Sequence, residues 1–193
     1  MMAIMACPFL NATDYYVSDL TGSDGNSGLS PSTPFKTLNK GKNTAVAGDT
    51  VFIMDGTYRN SNYGNGKTTN NGAALRLTTS GNSTSGHIIF QNYAGHSPKI
   101  QFDGSAGISF ANGVEYIIID GLEIEGPAAG ITYAEAYAKR QEKAGVGPVT
   151  GDSDNYYTNR GIVGFGPHNN IIIRNCYVHD TSSSGIRLSL IHI

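Results

Sequence analysis

The sequence predicts an all-β fold, a right-handed parallel β-helix with a short N-terminal capping helix and one helical insertion, and three observations carry the prediction. The first is a repeat. Gly107-Ile108, the run 116–124 and Gly130-Ile131 align with Gly161-Ile162, the run 170–178 and Gly185-Ile186, with periods of 23 residues from Gly107 to Gly130 and 24 from Gly161 to Gly185. Each unit holds three short strand-like runs, so each makes one coil of a solenoid. The second is parity. Ile117, Ile119, Leu122 and Ile124 share one face, as do Ile171, Ile173, Cys176 and Val178, provided that Gly121 and Asn175 break the alternation. Gly and Asn are the residue types that accept the left-handed conformation such a corner needs. The third is that two-residue Asn-Gly or Asp-Gly turns do not fall where an antiparallel sandwich requires them.

The elements follow in order. Residues 1–12 form an apolar stretch that ends in Leu10-Asn11-Ala12 ahead of a polar start, as the end of a secretory signal does, although a basic leading region is missing. Residues 4–7 loosely resemble a lipoprotein attachment site at Cys7. If Cys7 leaves with a signal, Cys176 is single and no disulfide framework is expected. The run 15–18 alternates weakly. The Gly- and Asp-rich loop 19–28 reads as a solvated turn, because no Glu closes it at the twelfth position as a helix-loop-helix calcium site demands. Thr33 as N-cap and Pro34 at the first helical position predict a short helix whose apolar side, with Phe35, Leu38 and Ala45, covers the open end of the solenoid. Residues 50–54 begin the first strong strand. Helix formers from Thr132 to Lys143, opened by a Thr132/Glu135 capping box, predict a helix, and with the polar loop that follows it the insertion spans 132–160. Insertions in repeat proteins go to one face, often the binding face. Residues 189–193 abandon the rung pattern, and the chain is expected to be the opening part of a longer helix with an exposed last edge.

Composition narrows the function classes. The chain has 193 residues, 25 of them Gly, no Trp, 15% charged residues and a net charge of -2. Few charges and frequent turns suit an extracellular β-rich protein. No Lys/Arg run supports nucleic-acid binding, and nothing approaches a membrane span.

Tyr16-Val17-Ser18, the loop 22–28, Pro34-Phe35-Lys36-Thr37-Leu38, Gly48-Asp49-Thr50-Val51 and Gly56-Thr57-Tyr58 together resemble the opening of secreted right-handed parallel β-helix proteins related to polysaccharide lyases. The type is the family-nine pectate lyases, with chondroitinase-B-like and alginate lyases behind them. Residues 85–90, 93–95, 119–124 and 170–176 continue the likeness, which runs from Tyr15 to Leu188. It implies secretion, an acidic polysaccharide partner (pectin-, alginate- or glycosaminoglycan-like), calcium, and β-elimination, with most of the catalytic apparatus on later coils. Many β-helix proteins with such an opening lack an assigned reaction, so a noncatalytic glycan-binding or adhesion protein and a glycoside hydrolase remain alternatives.

Elimination from a uronate requires neutralisation of the C5 carboxylate, a base for the C5 proton and stabilisation of the enolate-like charge. Calcium held by carboxylates supplies the first and last, and a Lys, Arg or His with a lowered pKa serves as base. The repeat stacks Glu125 near His179 and Asp180, and Arg187 points outward from the next strand. Glu125 and Asp180 are therefore the expected metal ligands, and Arg187 and His179 the expected catalytic groups, beside one exterior groove. Tyr156, Tyr157 and Arg160 of the insertion are expected to contact sugar. For each, the competing reading is an ordinary solvated turn or loop residue. No Ser/His/Asp set, zinc-type spacing or phosphate loop stands out.

Overall fold

Strand-forming runs recur along the chain, and they form three sheets that it visits in turn. The computed structural model describes residues 12–189. The signal-like stretch up to Asn11, Cys7 within it, and residues 190–193 of the expected non-native tail lie outside the described residues. The strands are β1 (Asp14–Val17), β2 (Thr50–Ile53), β3 (Thr57–Arg59), β4 (Leu75–Leu77), β5 (Ile88–Asn92), β6 (Lys99–Gln101) and β7 (Ala106–Phe110). They continue as β8 (Ile117–Asp120), β9 (Glu123–Glu125), β10 (Arg160–Gly164), β11 (Ile171–Arg174), β12 (Tyr177–His179) and β13 (Ser184–Leu188). The first sheet has the order β1-β2-β5-β8-β11, the second β3-β6-β9-β12 and the third β4-β7-β10-β13. Every pairing between named strands is parallel. Passing from sheet to sheet in a fixed order, coil upon coil, is the arrangement of a parallel β-helix.

Because register stacks equivalent residues, each inward position becomes a row. Ile88, Ile117 and Ile171 lie in line, as do Phe90, Ile119 and Ile173 beside them. Ile100, Ile124 and Val178 make the row of the second sheet. Ile117, Ile119 and Ile124 are fully buried, which contributes roughly 1.5–3 kcal/mol per side chain. Ile171, Ile173, Cys176 and Val178 are partly buried and pack against the same core, as their parity predicts.

The predicted corners form. Gly121 has φ +67° and Asn175 φ +53°. Asn175 Nδ2 donates to Asp120 Oδ1 of the preceding coil at 2.8 Å. In the coil before, the Asn92 side chain lies against Gly121, where a Cβ would meet Asn92 Oδ1 at 2.1 Å. Gly121→Ala therefore combines left-handed strain with a clash. A loss of about 1–3 kcal/mol is expected, read as a lowered urea midpoint with an unchanged m-value.

Three local expectations are corrected. The helix α1 spans Leu38–Thr44 and is capped by Thr37, whose side chain accepts from Lys40 N, so it starts later than the Thr33/Pro34 signal predicts. Phe35 is not helical because its backbone pairs alongside β1, in a parallel bridge to Val17: its N–H donates to Tyr16 O and its carbonyl accepts from Ser18 N. The shared apolar side is nonetheless real, with Phe35, Leu38 and Ala45 all buried. Gly130-Ile131 is not a strand. The chain turns at Pro127 into a single 3₁₀ turn, Ala128–Gly130, and the place beside β7 is taken by β10, with Ile162 opposite Ile108. The 23-residue period is thus a near-miss, whereas the 24-residue spacing joins true neighbours, Ile162 opposite Ile186.

The insertion holds α2 (Tyr133–Lys143) and α3 (Asp154–Tyr157). The predicted capping box is present, Thr132 and Glu135 bonding reciprocally. The insertion is tied to the loop after β3. Lys67 pairs with Glu135, Ser153 N donates to Lys67 O at 2.7 Å, and Asn155 Nδ2 donates to Asn71 O at 3.1 Å. Among the described residues no helix is long and apolar enough to cross a membrane.

Candidate functional site

Alternation in the short strands places two different sets of side chains on two outward faces. On the second sheet the outward rows are Lys99, Glu123 and Tyr177, then Gln101, Glu125 and His179. Here the expected stacking of Glu125 near His179 and Asp180 is found. Lys99 Nζ bridges Glu123 Oε1 at 2.8 Å and Glu125 Oε2 at 2.5 Å, and Gln101 Nε2 donates to Glu125 Oε1 at 2.8 Å. His179 lies between Glu123 Oε1 (3.1 Å from Nε2) and Asp180 Oδ2 (2.7 Å from Nδ1), with the Tyr177 ring stacked on it at 4.5 Å.

These contacts set the charges. Lys99 holds Glu123 and Glu125 below the ordinary glutamate range against the opposing effect of desolvation. The two carboxylates, Glu123 first, push the Lys99 ammonium up. Desolvation pulls His179 down, but its hydrogen bonds to Asp180 and Glu123 outweigh it and the net shift is upward. Both ring nitrogens face carboxylates, so the doubly protonated imidazolium fits the site. A histidine whose folded pKa is raised stabilises the fold fully below its unfolded value, near 6.5. That contribution is lost as pH rises through the folded pKa. The stability gap between wild type and His179→Gln should therefore be largest at pH 6 and shrink as pH rises above neutrality. Urea midpoints across that range check it, and a gap that widens with pH contradicts the assignment.

Glu123, Glu125 and His179 bring one ligand atom each within 4.8 Å of one another. Calcium takes about six to eight oxygen ligands, whereas this set offers two carboxylates already bridged by an ammonium, and an imidazole. As arranged, the residues do not fit calcium.

The third sheet carries a different outward face. Arg76, Ser109, Val163 and Arg187 form one row, and Ala106, Arg160 and Ser184 another. Arg160 and Arg187 thus lie away from Glu125 and His179, on another sheet and not beside one shared groove. Both guanidinium groups approach the Phe165 ring, at 5.2 and 5.3 Å from its centroid, and that ring is 51% exposed. Among the described residues none of these three arginines joins an ion pair. Arg160 Nε is buried and meets no acceptor. A cleft of about 290 Å³ opens here, with Arg76, Ser105, Ser109, Arg160 and Phe165 in its walls.

Tyr156 and Tyr157 part company. Tyr156 lines a cleft of about 410 Å³ beside Glu125. Tyr157 lines another, of about 440 Å³, between α2 and Thr181-Ser182, and donates to Asp152 Oδ2 at 2.9 Å. Sequence reasoning missed Arg76, Lys99, Glu123 and Phe165. The alternations Leu75-Arg76-Leu77 and Lys99-Ile100-Gln101 would have placed the first two outward had those runs been read as rungs.

No protein-family model matches the chain, and no curated protein matches it in sequence. Solved structures are similar to it. A GH136 lacto-N-biosidase from Eubacterium ramulus superposes with TM-score 0.54 in both its selenomethionine and native forms. The selenomethionine form has 19% identity and the match covers 89% of this chain and 28% of that one. The native form has 17% identity, with 93% and 30% covered. A rhamnogalacturonan lyase superposes with TM-score 0.50 and 21% identity, over 90% of this chain and 43% of that one. The chain therefore spans less than half the length of these neighbours, and the likeness is one of fold.

Proposed function

We propose that the protein is a secreted, polysaccharide-active β-helix protein of the lyase type that grips an acidic glycan on the outer face of the third sheet. In this reading the helix is right-handed, as parallel crossovers almost always are, and α1 covers its first coil. The observation that carries the proposal is a set of arginines without ion pairs, Arg160 and Arg187 over the exposed Phe165 ring and Arg76 in the lining of the cleft beside it. Guanidinium groups bind carboxylates in bidentate fashion, and an aromatic ring offers a face to the C–H side of a sugar. The second sheet is the poorer choice for an anion, since its Lys99 ammonium and His179 imidazolium are already engaged by Glu123, Glu125 and Asp180. The names of the structural neighbours, a rhamnogalacturonan lyase and a lacto-N-biosidase, agree with a glycan as partner.

Elimination begins with neutralisation of the uronate carboxylate, and Arg160 and Arg187 would supply that charge without calcium. Arg187 remains the group proposed to face the reacting sugar. No carboxylate, histidine or lysine lines the arginine cleft, and guanidinium groups that hold a carboxylate stay protonated, so these coils are expected to bind but not to turn over. Binding without catalysis is accordingly the second reading. Hydrolysis at Glu123 and Glu125 is disfavoured, because Lys99 keeps both ionised and a glycosidase needs one protonated acid. The test is affinity electrophoresis in gels containing polygalacturonate or a neutral glucan, with absorbance of unsaturated uronates followed in parallel with and without calcium. Retardation by the acidic polymer alone, without product, is expected. Equal migration in both gels would overturn the proposal.

A further inference from the structure

The cleft of about 410 Å³ between the insertion and the second sheet is separate from the arginine face and has different chemistry. Its lining takes Tyr63 and Lys67 from the loop after β3, Asp103, Glu125 with Gly126-Pro127, and Tyr156 of α3. The volume falls in the range of small-molecule sites, roughly 300–1,000 Å³. The lining is fixed by contacts among its own residues and to α2. Asp103 binds the N–H groups of Gly64 and Gly66 at 2.7 and 2.9 Å, and Lys67 ties the same loop to Glu135 of α2.

Three features select the occupant. Both lysines near the cleft already have partners, Lys67 with Glu135 and Lys99 with Glu123 and Glu125, and Arg59, which lies 5.0 Å over the Tyr63 ring and donates to Gln101 Oε1, is not among the residues that line the cleft, so no unpaired cation lines it. Glu125 is held ionised, and each of its oxygens accepts one hydrogen bond, from Lys99 or from Gln101. A carboxylate has about four lone-pair sites, so acceptor capacity is left for hydroxyl donors. Tyr63, 37% exposed and with the Arg59 guanidinium 5.0 Å from its ring, and Tyr156 supply ring surface in the lining. An ionised carboxylate with two tyrosines suits a hydroxylated, uncharged ring and repels a uronate. We propose that this cleft is a second carbohydrate site, specific for a neutral sugar residue, with vicinal hydroxyls donating to Glu125 and the ring's C–H face lying against Tyr156 or Tyr63. The protein then has two glycan sites of opposite preference, one acidic and one neutral, on adjacent outward faces.

The test uses the full chain, labelled with ¹⁵N, titrated separately with methyl β-galactoside, methyl β-glucoside and galacturonate. Saturable shifts at Tyr63, Gly64, Glu125 and Tyr156 are expected with at least one methyl glycoside and absent with galacturonate. Tyr156→Ala and Tyr63→Ala, each confirmed folded by an otherwise unchanged spectrum, should weaken that binding by about two- to tenfold. Arg160→Ala should leave it unchanged. If neither glycoside gives saturable shifts in the cleft, or if galacturonate binds there as well, or if neither tyrosine variant weakens binding, the proposal is overturned. Since acidic-polymer binding is read at the arginine face, failure here leaves that reading intact, and failure there leaves this one intact.

Discussion

Replacing Arg160 and Arg187 together by alanine is expected to weaken binding of polygalacturonate by about ten- to a hundredfold while leaving the fold intact. The two guanidinium groups flank one exposed ring, Phe165, and have no ion-pair partners to lose. Neither is fully buried, so removal should cost little stability. A charge-assisted hydrogen bond contributes roughly 1.5–3 kcal/mol when desolvated and at most about 1 kcal/mol when exposed, so two partly exposed contacts worth about 1.4–2.8 kcal/mol together give the range, at a factor of ten per 1.4 kcal/mol. Because the interaction is ionic, wild-type affinity should fall with added salt and the double variant should show a flatter dependence. Titration calorimetry at two ionic strengths gives both quantities. An unchanged affinity would remove the arginine face from consideration.

The largest stability effect is expected at Asp103, a buried carboxylate just past β6. Its Oδ1 accepts from Asn60 Nδ2 at 2.8 Å and Asn71 Nδ2 at 3.0 Å, and its Oδ2 accepts from Gly64 N and Gly66 N at 2.7 and 2.9 Å. These four donors converge on a group that is 5% exposed. Alanine would strand all four, and each buried donor left without an acceptor costs about 1–3 kcal/mol unless the loop opens to water. A loss of about 3 kcal/mol or more is expected from urea unfolding. The functional consequence follows from geometry. The loop that Asp103 organises carries Tyr63 and Lys67 into one cleft and Gly72 into the other. Asp103→Ala should therefore impair both glycan sites, whereas the arginine variants should impair one.

How much of this was legible in the sequence depends on where the repeat was regular. From Gly107 onward, inward Ile residues at fixed spacing announce rows, and Gly121 and Asn175 announce corners, because few residue types tolerate positive φ. The Thr132/Glu135 box announces the insertion helix through purely local chemistry. Ahead of Gly107 the loops between rungs vary in length, from three residues between β2 and β3 to 15 between β3 and β4, and Arg76 and Lys99 went unnoticed because no period frames them. The stacking of Glu125, His179 and Asp180 was legible as alignment. That Lys99 occupies the space between the carboxylates was not, since it depends on a side chain arriving from another coil. Arg187 and Arg160 were picked out, but their face was not, because sheet assignment requires knowing that β10 rather than Gly130-Ile131 follows β7. Calcium was expected from family likeness alone, and the pairing of Lys99 with Glu123 and Glu125 is a tertiary fact.

The central claim is that an acidic glycan lies on the outer face of the third sheet, and backbone amide mapping with a short oligogalacturonate tests it most directly. Shifts concentrated at residues 72–76, 105–109, 160–165 and 184–187, with residues 123–125 and 177–179 unmoved, are the predicted result. Shifts centred on Glu123, Glu125 and His179 would contradict it.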